Sequence, residues 1–453
     1  MTEAQMASAG ALDLWGGGLA RHCAVKLEHS ISATGLVMDR SWFGQIVRPA
    51  AGSVLASPAA SFGQGEPDYF FHWVRDSAAV MEAVRILARA EKPPSEWIAR
   101  FNAFVRFSLD LRQIDGRRFL ETAGFRAKTQ PYFQQFLRRD EEIAAVAGSR
   151  VAGDVRYNAD GTLDFILWNR PQHDGPAHRA LVAMRFEEEE EGLVQAGEAR
   201  RSLSELIDYD LSYTAANAGL PCYDIWEEEN AQHYYTVLVQ LAALEKGAAR
   251  AERAGIGDLG WHLRMKAAGL RELLEGFWSQ SLGAYRSRLP GPGGESPKAL
   301  DFAVILGVVH AGLESGPHSV LDERVQQTFA KLEALFAADY AINRGRGQGI
   351  MFGRYKGDSY VSGGAYYFST FGAAEFYYRL AQATPGRREA FIEKGDAILS
   401  RVRDFVPASG DLSEQFDQTA GQQTSAKDLS WSYACFITAW HARKLALGQG
   451  REA

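Results

Sequence analysis

The run Tyr223-Asp224-Ile225-Trp226-Glu227-Glu228-Glu229-Asn230 sets three consecutive glutamates directly after a tryptophan. Carboxylates suit the start of a helix, because they complement the exposed N–H groups and the dipole there. A helix N-terminus is therefore the plain reading of this run. A carboxyl held against an indole can also have a raised pKa and act as a general acid near neutral pH. Such an acid usually works with a second carboxylate across a sugar ring. The candidate partner stands in Ser413-Glu414-Gln415-Phe416-Asp417. The chemistry this pair offers is glycoside hydrolysis, with the rest of the chain as the scaffold that brings the two stretches together.

Other chemistries find little support. The ten histidines form no HExxH or similar pair, so a metal-centred mechanism is not expected. There is no P-loop lysine motif and no Gly-x-Ser-x-Gly elbow. No cofactor is expected. Cys23, Cys222 and Cys435 are too few and too scattered for a disulfide framework or a metal site. Cys222, next to the acidic run, reads as a small buried thiol. A formal net charge of −7 without a basic stripe argues against a nucleic-acid surface. No apolar run of about 18 residues is present, so no membrane span is expected. The first residues lack a basic start and a sustained apolar stretch, which predicts a cytoplasmic protein without a signal peptide. Aromatic residues are abundant (10 Trp, 17 Tyr and 25 Phe), enough to fill a core and still line a sugar site by stacking.

The elements that must position the carboxylates are mostly helices. Apolar residues at three- and four-residue spacing predict about a dozen. The first six cover 12–32, 76–90, 95–114, 175–186, 201–217 and 229–253; the rest cover 258–279, 301–312, 322–341, 364–381, 387–405 and 430–445. Several start at Asp or Ser, as N-caps do, and Gly and Pro cluster between them, as at 289–294. Two strand pairs are predicted, 42–46 with 52–56 and 155–157 with 162–166, the second about a turn at 158–161. The acidic run 187–191 reads as a solvated helix end. Successive helices with short β-hairpins in loops and no dividing linker predict one all-α domain over 1–453. An (α/α)6 barrel fits a dozen helices in two rings; from periodicity alone a bundle or a solenoid fits as well.

Four blocks, in order, resemble the catalytic domain of the glucoamylases, the inverting glycoside hydrolases of family 15. They are Gly65-Glu66-Pro67-Asp68-Tyr69-Phe70-Phe71-His72-Trp73-Val74-Arg75-Asp76-Ser77, preceded by Val54-Leu55-Ala56-Ser57-Pro58; Trp168-Asn169-Arg170-Pro171-Gln172-His173-Asp174-Gly175-Pro176; the acidic run led in by Asp210-Leu211-Ser212-Tyr213; and Glu414-Gln415-Phe416-Asp417 through Ala426-Lys427-Asp428-Leu429-Ser430-Trp431-Ser432-Tyr433. A weaker fifth block is Gly353-Arg354-Tyr355 with Asp358. The resemblance implies an (α/α)6 barrel with a pocket at one mouth. It implies Glu227 as general acid and Glu414 as general base, an inverting pair needing about 6.5–9.5 Å between carboxyls to admit a water. It implies that Arg75 and Asp76 grip the non-reducing end and that Trp168 and Trp431 line the pocket. Tyr69 would lie close to the bond cleaved, Arg354 would bind the first two sugars, and Glu228 the second. Trp73 and Trp226, inside the matched motifs, join the substrate-binding set.

The resemblance thus implies a glucan 1,4-α-glucosidase that releases β-D-glucose from the non-reducing ends of maltooligosaccharides and soluble α-glucans. No starch-binding module is read after the barrel, and a monomer is expected. Two departures bear on the second sugar. Gly364-Ala365-Tyr366 stands where the family usually has Asn-Pro-Trp, and Glu229 stands where a small apolar residue is common. They leave open α-1,6 isomaltooligosaccharides or trehalose as substrates for the same fold, and a non-catalytic sugar-sensing subunit is a further alternative.

Overall fold

The computed structural model describes residues 3–59, 66–90, 95–189, 197–291, 294, 296–345 and 349–449. The chain forms two compact units, one made of 28–272 and the other of 1–27 with 273–453.

Two kinds of helix alternate along the sequence, and burial separates them. In the unit 28–272, Val74–Ala90, Asp174–Glu189 and Tyr234–Arg253 are buried almost all round; Tyr234 to Leu244 has no exposed position. A helix apolar all round has to sit inside a core. Each is followed by a helix with a single buried stripe: Ser95–Asp110, Glu198–Ala216 and Gly257–Glu275, the last running on past residue 272. In Gly257–Glu275 the buried positions are Gly260, Leu263, Ala267, Leu270 and Leu274, a spacing of three and four that lays one side on the core. The other unit repeats the alternation. Ala303–Ala311, Tyr367–Ala383 and Ser430–Ala446 are the enclosed helices. Glu323–Asp339, Arg388–Val402 and Glu3–Ser30 carry a single buried stripe. Among the described residues this makes six enclosed and six one-faced helices.

Charged side chains fasten these helices from within. Arg179 and Asp210 form a fully buried bidentate pair at 2.8 and 2.7 Å, which ties Asp174–Glu189 to Glu198–Ala216. In the other unit Arg443 reaches Asp396 at 2.7 Å and Asp13 at 2.5 Å, linking three helices. Such pairs have little net worth over an apolar core, but losing one partner strands a buried charge.

Strands are short and lie at helix ends. Phe71–Trp73 pairs antiparallel with Arg156–Asn158, Trp73 opposite Arg156. Cys222–Tyr223 pairs with Asn230–Ala231. Gln415–Phe416 lies between Ala365–Tyr366 and Gln423–Thr424 in a three-stranded sheet.

Several expected elements are corrected. The acidic run does not start a helix: it is the loop of the hairpin Cys222–Tyr223/Asn230–Ala231, and the helix begins at Tyr234. The strand pair expected at 42–46 and 52–56 does not form; Gln45–Val47 pairs with Met38–Arg40, and Val54 bridges Ile31. The turn at 158–161 is present, with Gly161 at φ 86° and a bridge between Tyr157 and Leu163, but the full strand partner of 156–158 is Phe71–Trp73. Part of the acidic run at 187–191 is paired rather than merely solvated: Glu187 bonds Arg250, and Glu188 meets Lys246 and Arg253. Residues 190 and 191, Gly65 of the first block, and 292 and 293 of the Gly/Pro cluster lie outside the described residues.

Candidate active site

In the unit 28–272 the three motifs converge on one carboxylate. The Glu227 side chain, 13% exposed, accepts N–H bonds on both oxygens. Trp73 Nε1 donates to Oε1 at 2.9 Å, Gln172 Nε2 to the same oxygen at 2.9 Å, and Trp168 Nε1 to Oε2 at 2.5 Å. The Arg75 guanidinium lies 3.5 Å from Oε1. The indoles that meet this carboxyl are thus Trp73 and Trp168; the neighbouring Trp226 is buried.

The hairpin loop explains how Glu227 reaches that place. Its backbone has φ 65°, a left-handed conformation that costs about 1–2 kcal/mol for a residue with a Cβ. Local bonds offset that cost. Asp224 Oδ1 accepts from the backbone N–H of Glu228 at 2.7 Å and of Glu229 at 3.1 Å, while Glu227 N donates to Asp224 O at 2.9 Å. Asn169 Nδ2 donates to the Glu227 carbonyl at 2.6 Å. The second and third glutamates therefore supply backbone donors that close the loop, and the Glu228 side chain is half-buried.

Arg75 joins the rest of this cluster. Its Nη1 donates to Gln172 Oε1 at 2.7 Å and lies 3.2 Å from Asp174, and its Nη2 is 3.5 Å from Asp76. Burial pushes the Asp76 carboxyl up; Arg75 opposes this, Glu227 and Asp174 reinforce it, and the result is about 6 against an ordinary 3.8. Tyr69 packs edge-on to Trp73 at 5.3 Å, and Trp73 edge-on to Trp168 at 5.8 Å. Beneath them the Arg156 guanidinium lies 3.8 Å from the Trp168 ring centre and 4.9 Å from that of Trp73. Arg156 is fixed by Asp164 at 2.8 Å, which also accepts from Arg170 at 2.7 Å. His72, one residue before Trp73, accepts from Val54 N at 3.0 Å through Nδ1; burial holds the ring neutral, down to about 3. That bond connects the 54–58 lead-in to its block. Burial likewise pushes the Cys222 thiol up to about 12, in keeping with an inert buried thiol.

In the other unit Glu414, Arg354 and Trp431 lie in and around the three-stranded sheet. Glu414 is 9% exposed, and its Oε2 accepts a short bond from Ser425 Oγ. Its backbone is held on two sides, Glu414 N donating to Ala426 O at 2.8 Å and Tyr367 N to Glu414 O at 3.3 Å. The start of helix Ser430–Ala446 fixes the same strand, Ser432 Oγ donating to Ser413 O at 2.9 Å. Trp431 stacks flat on Phe368, ring centres 4.3 Å apart. Arg354 is clasped by Asp358, which accepts from Nε at 2.6 Å and from Nη2. Gly364 is obligatory here: a Cβ would lie 2.1 Å from the Phe416 carbonyl oxygen of the adjacent strand.

The predicted site residues therefore fall into two sets. Tyr69, Trp73, Arg75, Asp76, Trp168, Trp226, Glu227 and Glu228 belong to the unit 28–272, and Arg354, Glu414 and Trp431 to the other. Sequence reading missed Gln172, Asn169 and Asp174, which lie inside the second block, and Asp224, Ser425 and Gln415. Their signal was their place in those blocks, since an amide or a serine carries no spacing of its own.

Comparisons with known proteins place the chain in a family. The model of a family described as glycosyl hydrolases family 15 matches residues 42–441. The glucoamylase of Blastobotrys adeninivorans is 28% identical over 87% of this chain and 68% of its own length. Glucoamylase 1 of Rhizopus oryzae is 26% identical over 86% of this chain and 67% of its own. The chain thus spans about two thirds of each relative. The solved family 15 glucoamylase of Hypocrea jecorina superposes with a TM-score of 0.77 at 23% identity, over 97% of this chain and 73% of the other. That likeness concerns the fold, and the (α/α)6 barrel expected from the sequence is the fold of this chain.

Proposed function

Because the chain belongs to the glycosyl hydrolases of family 15, we propose that it is an exo-acting glucoamylase. It is read as a glucan 1,4-α-glucosidase that attacks the non-reducing ends of maltooligosaccharides and soluble α-glucans and releases β-D-glucose, with 1–453 acting as one catalytic domain. The observation that carries this reading is the Glu227 carboxyl, held by the indole N–H groups of Trp73 and Trp168 and the amide of Gln172. These three donors fix the orientation of the carboxyl, and general acid catalysis requires an aimed group.

In this reading Glu227 protonates the glycosidic oxygen as the bond to the anomeric carbon breaks. Glu414 removes a proton from the attacking water, and the Ser425 hydroxyl orients Glu414. Attack on the face opposite the leaving group inverts the anomeric centre. The Arg75–Asp76 pair holds hydroxyls of the terminal sugar, and its burial strengthens such bonds. Arg354 and Glu228 hold polar groups of the terminal and second sugars, and Tyr69, Trp226 and Trp431 supply apolar walls.

Initial rates on maltose, maltotriose, isomaltose and trehalose test the reading. Maltotriose and maltose should be cleaved fastest. Preference for isomaltose or trehalose would overturn the linkage, and no hydrolysis of any of the four would overturn the enzyme.

A further inference from the structure

Tyr366, in the outer strand next to the one that follows Glu414, both accepts and donates a hydrogen bond through its hydroxyl, and the geometry points to a positioning role for that group. Tyr366 is 1% exposed, so it does not meet a sugar directly. Antiparallel register sets it opposite Gln415, the residue after Glu414, with both side chains on the same face of the sheet. Gln415 Nε2 donates to the Tyr366 hydroxyl at 2.8 Å, and that hydroxyl donates to Asp358 Oδ2 at 3.3 Å. Asp358 in turn clasps Arg354. At the other end Gln415 Oε1 accepts from Ser362 Oγ at 3.0 Å, which fixes which way the amide faces. Donors thus run from Ser362 through Gln415 and Tyr366 to Asp358, which also accepts from the Arg354 guanidinium, and every member from Gln415 to Arg354 is buried.

We propose that the Tyr366 hydroxyl locks the Arg354–Asp358 pair in register with the strand that carries Glu414, and so sets the affinity for the sugars that Arg354 binds. The hydroxyl does what an indole cannot, because it accepts one hydrogen bond and donates another, whereas an indole N–H only donates. Burial raises the phenol well above its ordinary range, so the proton it donates to Asp358 stays in place at every working pH. Because Arg354 holds sugar rather than the reacting atoms, loosening it weakens binding and leaves the bond-breaking step nearly as it was. This inference rests on the glucoamylase reading and names the residue that tunes its sugar grip.

The test is Tyr366→Phe, which keeps the ring and removes only the hydroxyl. KM for maltotriose should rise roughly tenfold, the effect of losing about one buried hydrogen bond, while kcat changes by less than about twofold. In an Arg354→Ala background the same substitution should add almost nothing, since the group it positions is gone. An unchanged KM, or equal losses in both backgrounds, would overturn the positioning role while wild-type hydrolysis still upheld the glucoamylase reading. A wild type that neither binds nor cleaves maltotriose would overturn both. Should Tyr366→Phe fail to fold, Gln415→Met cuts the chain one link earlier and should give the same rise in KM.

Discussion

Asn169 offers the sharpest probe of how the proposed acid is aimed. Its side-chain amide donates to the Glu227 carbonyl at 2.6 Å, where the Glu227 backbone holds a left-handed φ of 65°. That conformation costs about 1–2 kcal/mol for a non-glycine residue, and a neutral hydrogen bond contributes about 0.5–1.5 kcal/mol net. The single Asn169 bond is therefore comparable with the strain it opposes. Asn169→Ala should lower kcat on maltotriose about fivefold, which corresponds to about 1 kcal/mol. Asn169→Asp is nearly isosteric but faces the carbonyl with an acceptor. It loses the bond and sets a carboxylate oxygen against the carbonyl oxygen, so kcat should fall further than in Asn169→Ala, about tenfold, which corresponds to about 1.4 kcal/mol. Asn169 is exposed, so neither variant should move the unfolding midpoint by more than about 2 °C. Full kcat in both variants would refute the argument, and so would a loss of rate that merely follows a loss of stability.

Two further outcomes test other parts of the site. Glu227→Gln should lower kcat by about 10²–10⁴-fold, the usual share of general acid catalysis, while maltotriose still quenches tryptophan fluorescence on binding; near-normal turnover would remove Glu227 from the mechanism. Asp76 titrates at about 6 when folded and near 3.8 when unfolded, so the folded state binds its proton more tightly. That contribution to stability is fully present below about pH 3.8, is lost as pH rises through about 6, and amounts to about 3 kcal/mol. Asp76→Asn cannot ionise, so denaturant melts should show the variant gaining about that much on the wild type between pH 3.5 and pH 7.5. A difference that does not change with pH would show that Asp76 is not a strained buried carboxyl.

The helices were legible because their apolar spacing is long and repeated, and the enclosed members announced themselves as runs without a polar face. The hairpin of 222–231 was not legible. Three glutamates after an aromatic residue favour a helix start on local grounds, and what overrides them is the Asp224 carboxylate closing the loop and Asn169 reaching in from 58 residues earlier in the chain. The blocks point to Glu227 and Arg75 and to Trp168 as an indole beside the acid, and the acidic run itself points to Trp226; Trp73 is the indole donor that neither singles out for the acid. The actual donors, Trp73 and Trp168, come from a strand edge and a loop that only tertiary packing brings to the acid. As a departure from the family motif Tyr366 points toward the second sugar, whereas its burial makes it a link between polar groups. Amides such as Gln172 and Gln415 stayed silent, because their part depends on what they face.

The most direct measurement is a proton NMR time course of maltotriose hydrolysis, read before mutarotation mixes the anomers. Inverting attack by water, with Glu227 as acid and Glu414 as base, predicts that the β anomer of glucose appears first. First appearance of the α anomer would contradict the roles assigned to both carboxylates.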